Sequence, residues 1–581
     1  MANRVTIDPV TRIEGHLRIE LETDGDAIKT AWSEATQFRG LEAIVKGRDP
    51  RDVWAFVQRI CGVCTTVHAV ASLTTVENAI GSMPPHQAQL IRDMVLGAAN
   101  VQDHVIHFYH LHALDWVNVA NAAKGDPQAA VDFATKIGSK WRGNTLQRFT
   151  EVKNTVQGIL DSGQLSIFTG GYWDHPDYRL PPEADLMAVA HYLDALEFQR
   201  SMIRIDTVFG GKNPHPNFLV GGMACTIDPS SAGSINQVQL NDIQTWMNET
   251  LDFVTNCYVP DALAIMGVYK DYFDIGASAP NYIAVGLGGA IYAGDPNQAP
   301  RYPTPMMDVK PGVIFDDDFS KVLPFDLTKI TESIASAWYT YDNGGKSLPP
   351  SQGETTVDYS GPTPPYDWLG DSDRYTWSKA PRYDGRPMQV GPLARVMLAY
   401  AQGHPRTKEL VDAAAAKLGI TLKQMNSTGG RTLARAVDAL VEAEIMANQI
   451  FPTFVKNIAG GDIDVFDASK WEPSTWPKQC QGIAFVEVAR GMLSHWITIE
   501  NGAVKSYQAV VPTTWMVGGR DETGQIGPYE TSLAGNGKHP LVNAAEPLEP
   551  LRTIHSFDPC LSCAVHVLDP DGDELSVVTT S

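Results

Sequence analysis

Positive charge is in short supply. Against 67 Asp and Glu the 581 residues set only 45 Lys and Arg, a net charge of −22. So acidic a chain repels phosphates instead of releasing counterions from them, which excludes nucleic acid as a partner. Cysteine is scarce too: seven, at positions 61, 64, 225, 257, 480, 560 and 563, too few and odd in number for a disulfide framework. No apolar run reaches the roughly 18 residues a membrane helix needs, so no direct membrane span is expected. Met1-Ala2-Asn3-Arg4-Val5-Thr6 lacks an apolar core or a twin arginine, and no signal peptide is expected in this chain. Gly286-Leu287-Gly288-Gly289-Ala290-Ile291 lacks the third glycine of a dinucleotide fingerprint, and neither a flavin nor a nucleotide is expected.

What is present is a 43% hydrophobic chain with ample material for a large core. Val5-Thr6-Ile7 and Leu17-Arg18-Ile19-Glu20-Leu21 alternate as strands do. Helical patterns cover roughly 87–123, 183–208, 236–270, 390–402 and 406–450, a multi-helix core rather than a parallel sheet. Residues 271–389 turn to Gly, Pro, Asp and aromatics, and 347–365, with five prolines, reads as an irregular excursion. Short apolar runs return after 482. The fold class expected is α+β, predominantly helical, with peripheral β-strands.

Four cysteines form two pairs, one near each end. Arg59-Ile60-Cys61-Gly62-Val63-Cys64 is followed by His68, and Asp558-Pro559-Cys560-Leu561-Ser562-Cys563 by His566. Four thiolates suit zinc, nickel, copper(I) or iron–sulfur. A local zinc module keeps its pairs close in sequence, whereas these stand almost a chain length apart. Spacing alone leaves structural metal, catalytic metal and unrelated pairs all open.

The flanking residues add more. Asp8-Pro9-Val10-Thr11-Arg12-Ile13-Glu14-Gly15-His16, Phe38-Arg39-Gly40-Leu41-Glu42, Gly210-Gly211-Lys212-Asn213-Pro214-His215-Pro216-Asn217, Gly391-Pro392-Leu393-Ala394-Arg395 and Val511-Pro512-Thr513-Thr514-Trp515 lie between or before the two pairs. With them, in this order, the sequence resembles the large subunit of the nickel–iron hydrogenases from residue 5 to its end. The resemblance implies one unit over residues 1–566 in which both cysteine pairs converge on a buried metal site. It implies heterolytic, reversible cleavage of dihydrogen at a Ni–Fe centre whose iron carries CO and CN ligands. Cys61 and Cys560 would be terminal nickel ligands, and Cys64 and Cys563 would bridge nickel to iron. Arg490 matches an arginine over the metals, held by Asp103 and Asp558. Thr513 matches a hydroxyl that hydrogen-bonds a cyanide, and His68 a ring that hydrogen-bonds a bridging sulfur. Glu14 matches the start of the proton route. A magnesium ion would take the carboxylate of Glu42, the carbonyl of Ala509 and the ring of His566.

The sequence departs from the family pattern at Ala489, usually proline, at Gln389, usually glutamate, and at Met516, usually asparagine. Cys225, Cys257 and Cys480 read as small hydrophobes. The histidines at 104, 107, 110 and 112 read as packing and hydrogen-bonding groups. The implied partners are an iron–sulfur small subunit, nickel-insertion proteins, and a maturation endopeptidase that removes 567–581; a higher oligomer of heterodimers is expected. A hydrogen-sensing regulatory subunit is the alternative, and the tail beyond His566 argues against it. The location, cytoplasmic or membrane-associated through a partner, stays open.

Overall fold

A computed structural model describes residues 3–164, 168 and 171–564, apart from the side chains of 563 and 564. His566 and the 567–581 tail lie outside the described residues, and so does the side chain of Cys563.

The chain opens on an antiparallel sheet of β1 (Asn3–Ile7), β2 (Leu17–Asp24) and β3 (Ala27–Ala35), extended at its far edge by His539–Pro540. Alternation in β2 predicts one wet face, yet Arg18 and Glu20 are as buried as Leu17, Ile19 and Leu21. A distant loop covers that face and satisfies it. Arg18 donates to the carbonyls of Tyr366 and Asp367, and Glu20 accepts from the backbone N–H of Leu369 and Gly370. Both faces of β2 are therefore interior.

Long helices fill the middle of the chain, chiefly Val67–Ile80, His86–Ile106, Pro182–Met202, Gln237–Phe253, Pro405–Leu418 and Thr428–Ile445. Three of the expected helical stretches are interrupted by π-helical turns, at His107–His112, Val254–Tyr258 and Met446–Ile450. One extra residue per turn hardly disturbs apolar periodicity, so the pattern shows no break there. Residues 271–389 hold short strands of two to four residues, not a purely irregular path.

The strands are not all peripheral. Gln479–Val488, Gly491–Glu500 and Ala503–Val510 form an antiparallel meander that pairs with Ile291–Ala293. Its first hairpin packs on the Val67–Ile80 helix, and the residues from Phe485 to His495 are buried. The turn of that hairpin, Ala489-Arg490, lies in the interior.

The Val67–Ile80 and His86–Ile106 helices are tied by a buried ion pair, with Arg92 donating twice to Glu77 at 2.7 Å. Glu77 also accepts from the Gly221 N–H at 2.7 Å. Breaking such a pair from one side strands a buried charge, so Glu77→Ala should cost about 3–5 kcal/mol in urea denaturation; a loss under about 1 kcal/mol would mean the pair is solvated.

Among the described residues, no helix is long and apolar enough to cross a membrane.

Candidate metal centre

Cys61 follows a tight turn at Gln58–Ile60 in extended conformation, and its sulfur accepts the Cys64 N–H at 3.1 Å. Arg39 fixes the approach by donating to the carbonyls of Ile60 at 2.6 Å and Arg59 at 2.8 Å. The Val67–Ile80 helix starts just beyond, so its N-terminal end faces the pair and favours negative charge on the sulfurs. Thr66 and Thr65 anchor this corner, Thr66 by donating to Asp206 at 3.0 Å and Thr65 by bonding to His215.

Cys560 arrives from the opposite end of the chain. The Leu548–Ser556 helix stops at Phe557, and Asp558, in the left-handed region at φ 60°, turns the backbone toward the first pair. The Cys560 sulfur lies 3.4 Å from that of Cys61, and the sulfurs of Cys61, Cys64 and Cys560 all lie within 4.8 Å of one another, buried. Thr513 accepts the Cys560 N–H at 3.2 Å.

The N-terminal loop closes over this motif. Glu14 and Cys560 pair as a parallel bridge, and the Leu561 N–H donates to the Glu14 carbonyl at 2.7 Å. Gly15 is required here: at φ +81° any Cβ would sit 2.5 Å from the Ser562 nitrogen. The Glu14 carboxylate accepts from the Ser562 N–H at 3.0 Å and lies 3.3 Å from the Cys560 sulfur. Burial, with the neighbouring Cys61 charge, raises its pKa above the ordinary carboxylate range. Ser562 in turn donates to Gln37 at 3.1 Å, which extends a polar path away from the sulfur.

Arg490 projects from the buried hairpin turn. It donates to the carbonyl of Asp558 at 3.1 Å, to the Asp558 carboxylate at 3.0 Å and to Asp103 at 3.2 Å. Burial alone would lower its pKa, but Asp558, Cys560 and Asp103 raise it well above the ordinary value, so it stays a cation. Burial lifts Asp103 to about 8 despite the guanidinium.

A small cavity beside the sulfurs is lined by Cys64, Val67, His68, Arg490, Val511 and Thr513. His68 is fully buried, which pushes its pKa down to about 4 and keeps the ring neutral. Its Nδ1 lies 3.1 Å from His495 Nε2, and His495 Nδ1 lies 2.6 Å from the Tyr507 hydroxyl. Glu42 is buried and accepts the Ala509 N–H at 2.8 Å; burial raises it to about 7, against the pull of Lys379.

The structure thus brings together Glu14, Cys61, Cys64, Arg490, Asp103, Asp558, Thr513, His68 and Cys560, and places Glu42 against Ala509. The departures sit in dry surroundings. Ala489 and Gln389 are fully buried, and Gln389 donates to the carbonyl of Ala279 and to Asn426. Met516 is buried in the Pro512–Val517 helix. Sequence reasoning gave no role to Arg39, His495, Tyr507 or Gln37. Arg39 stands in a quoted block and could have been singled out, whereas no spacing links His495 or Tyr507 to His68.

Other acid–histidine groups are hydrogen-bonded within the core, although Nδ1 of His104 and of His107 has no partner among the described residues. His112 meets Asp115, Thr432 and the Trp116 indole; His555 meets Asp115 and the Thr11 carbonyl. His104 pairs with Asp438, and His107 with the His555 carbonyl.

Three thiols buried together suit soft or borderline metals, and a zinc, nickel or iron ion fits that donor set.

Comparison with known proteins agrees. The profile of nickel-dependent hydrogenases matches residues 39–566, and a HoxL-like profile matches 4–38. The uptake hydrogenase large subunit of Rhizobium leguminosarum bv. viciae is 43% identical, over 99% of this chain and 97% of that one. The hydrogenase-1 large chain of Citrobacter freundii is 44% identical at the same coverage. The solved Ni-Fe-Se hydrogenase from D. vulgaris Hildenborough, in its reduced state, superposes with a TM-score of 0.74 at 28% identity, covering 97% of this chain and all of that one.

Proposed function

Since the chain belongs to the nickel-dependent hydrogenase family, and is a hydrogenase, we propose that it is the catalytic large subunit that oxidises dihydrogen and hands the electrons to an iron–sulfur small subunit. The observation that carries this reading is the meeting of Cys61, Cys64 and Cys560 from opposite ends of the chain under a fixed guanidinium. Nickel would be held by these three thiolates and Cys563, with Cys64 and Cys563 shared with iron. When bound, the metal pair with its CO and CN ligands supplies the Lewis acidity and redox capacity for splitting dihydrogen.

The protein's own groups do the rest. Arg490, a permanent cation tied by three hydrogen bonds to Asp558 and Asp103, presents a positive potential to the cavity. Thr513 and His68 line that cavity with a hydroxyl and a neutral ring, able to hydrogen-bond a cyanide and a sulfur respectively. Val67 and Val511 keep it dry.

Glu14 offers a proton acceptor beside the Cys560 sulfur. Its Oε2 lies 3.3 Å from the Cys560 sulfur, within reach to take up a proton, and Ser562 and Gln37 lead away from it. Glu14→Gln should lower hydrogen uptake about 10²–10⁴-fold while leaving the metals in place. Uptake measured with an artificial acceptor beside metal content checks this, and an unchanged rate would remove Glu14 from the route.

Magnesium would sit between Glu42, the Ala509 carbonyl and His566, where Lys379, Glu332 and Gln508 already form a buried polar cluster. Processing would remove 567–581 through a dedicated endopeptidase after nickel insertion, and heterodimers would assemble further. Intact-mass measurement of active enzyme should find a chain ending at His566; active, nickel-loaded chains that retain the tail would refute the processing step.

Elemental analysis and infrared spectroscopy of the purified heterodimer test the whole reading. Nickel, iron and the stretching bands of metal-bound CO and CN are expected. Zinc without nickel and iron would overturn it.

A further inference from the structure

Arg490, which lines the cavity, and Asp103, which it grips, come from elements far apart in sequence, and something must hold their relative register. One buried guanidinium touches the hairpin directly and reaches the Asp103 helix through Asp438. Arg395, on the Pro392–Ala401 helix, is completely buried and lines no part of the cavity. On one side it donates to the Val488 carbonyl at 2.7 Å and the Ala489 carbonyl at 3.4 Å, the two peptides leading into Arg490, and to Glu487 at 3.0 Å. On the other side it grips Asp438, at 3.2 Å from Nε and 2.5 Å from Nη2.

Asp438 completes the link. Its Oδ2 lies 3.1 Å from Nε2 of His104, the residue next to Asp103 on the His86–Ile106 helix. Glu487 is pinned in turn by the Val285 N–H at 2.8 Å. At the start of the Arg395 helix, Gly391 at φ +97° leaves its Cβ position 2.8 Å from the Arg490 carbonyl oxygen, so the helix presses on the hairpin turn itself.

We propose that Arg395 and Asp438 are positioning residues that set the height of Arg490 over the thiolates and keep Asp103 opposite it. They act through the Val488 and Ala489 carbonyls and through His104, and touch neither sulfur nor cavity. The geometry favours this over a purely stabilising role. Burying an Arg–Asp pair is at best a break-even exchange against apolar packing, whereas one arm of this one ends at the peptides leading into Arg490 and the other at the residue beside Asp103. Outer groups that orient inner ones commonly change activity 10–100-fold, and misplacement by ~1 Å is costly.

The inference rests on Arg490 lying over the nickel–iron site, and the test separates the two. Arg395→Lys keeps the charge but cannot reach both carbonyls and the carboxylate together. In the purified heterodimer it should retain nickel and iron, lower kcat about 10–100-fold with little change in KM for dihydrogen, and shift the infrared CO and CN bands. A metal-loaded Arg395→Lys enzyme with native kcat and unshifted bands would overturn the proposal, as would an activity loss that merely tracks lost nickel. If Arg395→Lys does not accumulate, His104→Phe cuts only the arm to the Asp103 helix and is read the same way. Absence of CO and CN bands from the unaltered enzyme would instead defeat the metal reading, before any variant is made.

Discussion

Cys560→Ser is expected to yield a chain without nickel and without measurable hydrogen uptake. The Cys560 sulfur is 3.4 Å from that of Cys61 and belongs to a buried thiol cluster. Serine keeps the shape but replaces a soft, readily ionised donor with a hard hydroxyl whose proton stays on near neutral pH, and a nickel site built on thiolates loses its affinity. The second motif gains additional leverage from its position, because Cys560 and Leu561 are also the backbone partners of Glu14. Nickel content by plasma emission, beside uptake activity, reads the outcome. Cys480→Ser is the control: Cys480 is partly exposed, remote from the cluster, and should keep full metal and activity. Retained nickel in Cys560→Ser would show that this sulfur is no ligand.

Arg490→Lys should keep its metals and lose about 10²–10³-fold in turnover, the scale found when one fixed electrostatic donor is removed from a reaction centre. The guanidinium spans Asp103, the Asp558 carboxylate and the Asp558 carbonyl at once, through all three nitrogens. An ammonium is a point donor and cannot hold three partners in one plane, so the charge survives while its place is lost. The comparison therefore isolates position from charge. Initial rates at saturating hydrogen, normalised to nickel, measure it. A fall of less than about tenfold would mean that the potential over the site needs no such placement.

Much of the site could be read from the sequence because its chemistry is concentrated in short motifs. The two CxxC pairs stand out locally as metal candidates, whereas Glu14 is legible only through the family resemblance of the block around it. What could not be read is how the groups are held. No spacing predicts that Asp438 bridges Arg395 to His104, since those residues are distant in the chain and meet only in the packed core. The alternation in β2 misled for a related reason. Period two implies a wet face only if nothing else lands on it, and the 366–370 loop does. The helices Pro127–Ile137 and Leu146–Ser162 went unnamed, although Phe149, Val152 and Val156 carry the three-to-four spacing. Their outer faces are polar enough to dilute it. The buried hairpin around Arg490 was hidden because its apolar runs are short and look like surface strands until the Val67–Ile80 helix is packed on them.

Because the loop around Glu14 is stitched to the segment that bears Cys560, the site is assembled only when both ends of the chain are present. During synthesis the first cysteine pair emerges early and waits, unguarded, for a segment still inside the ribosome. A stop ahead of Cys560 leaves a long polypeptide that keeps Cys61 and Cys64 but lacks the sulfur and the backbone that close over them.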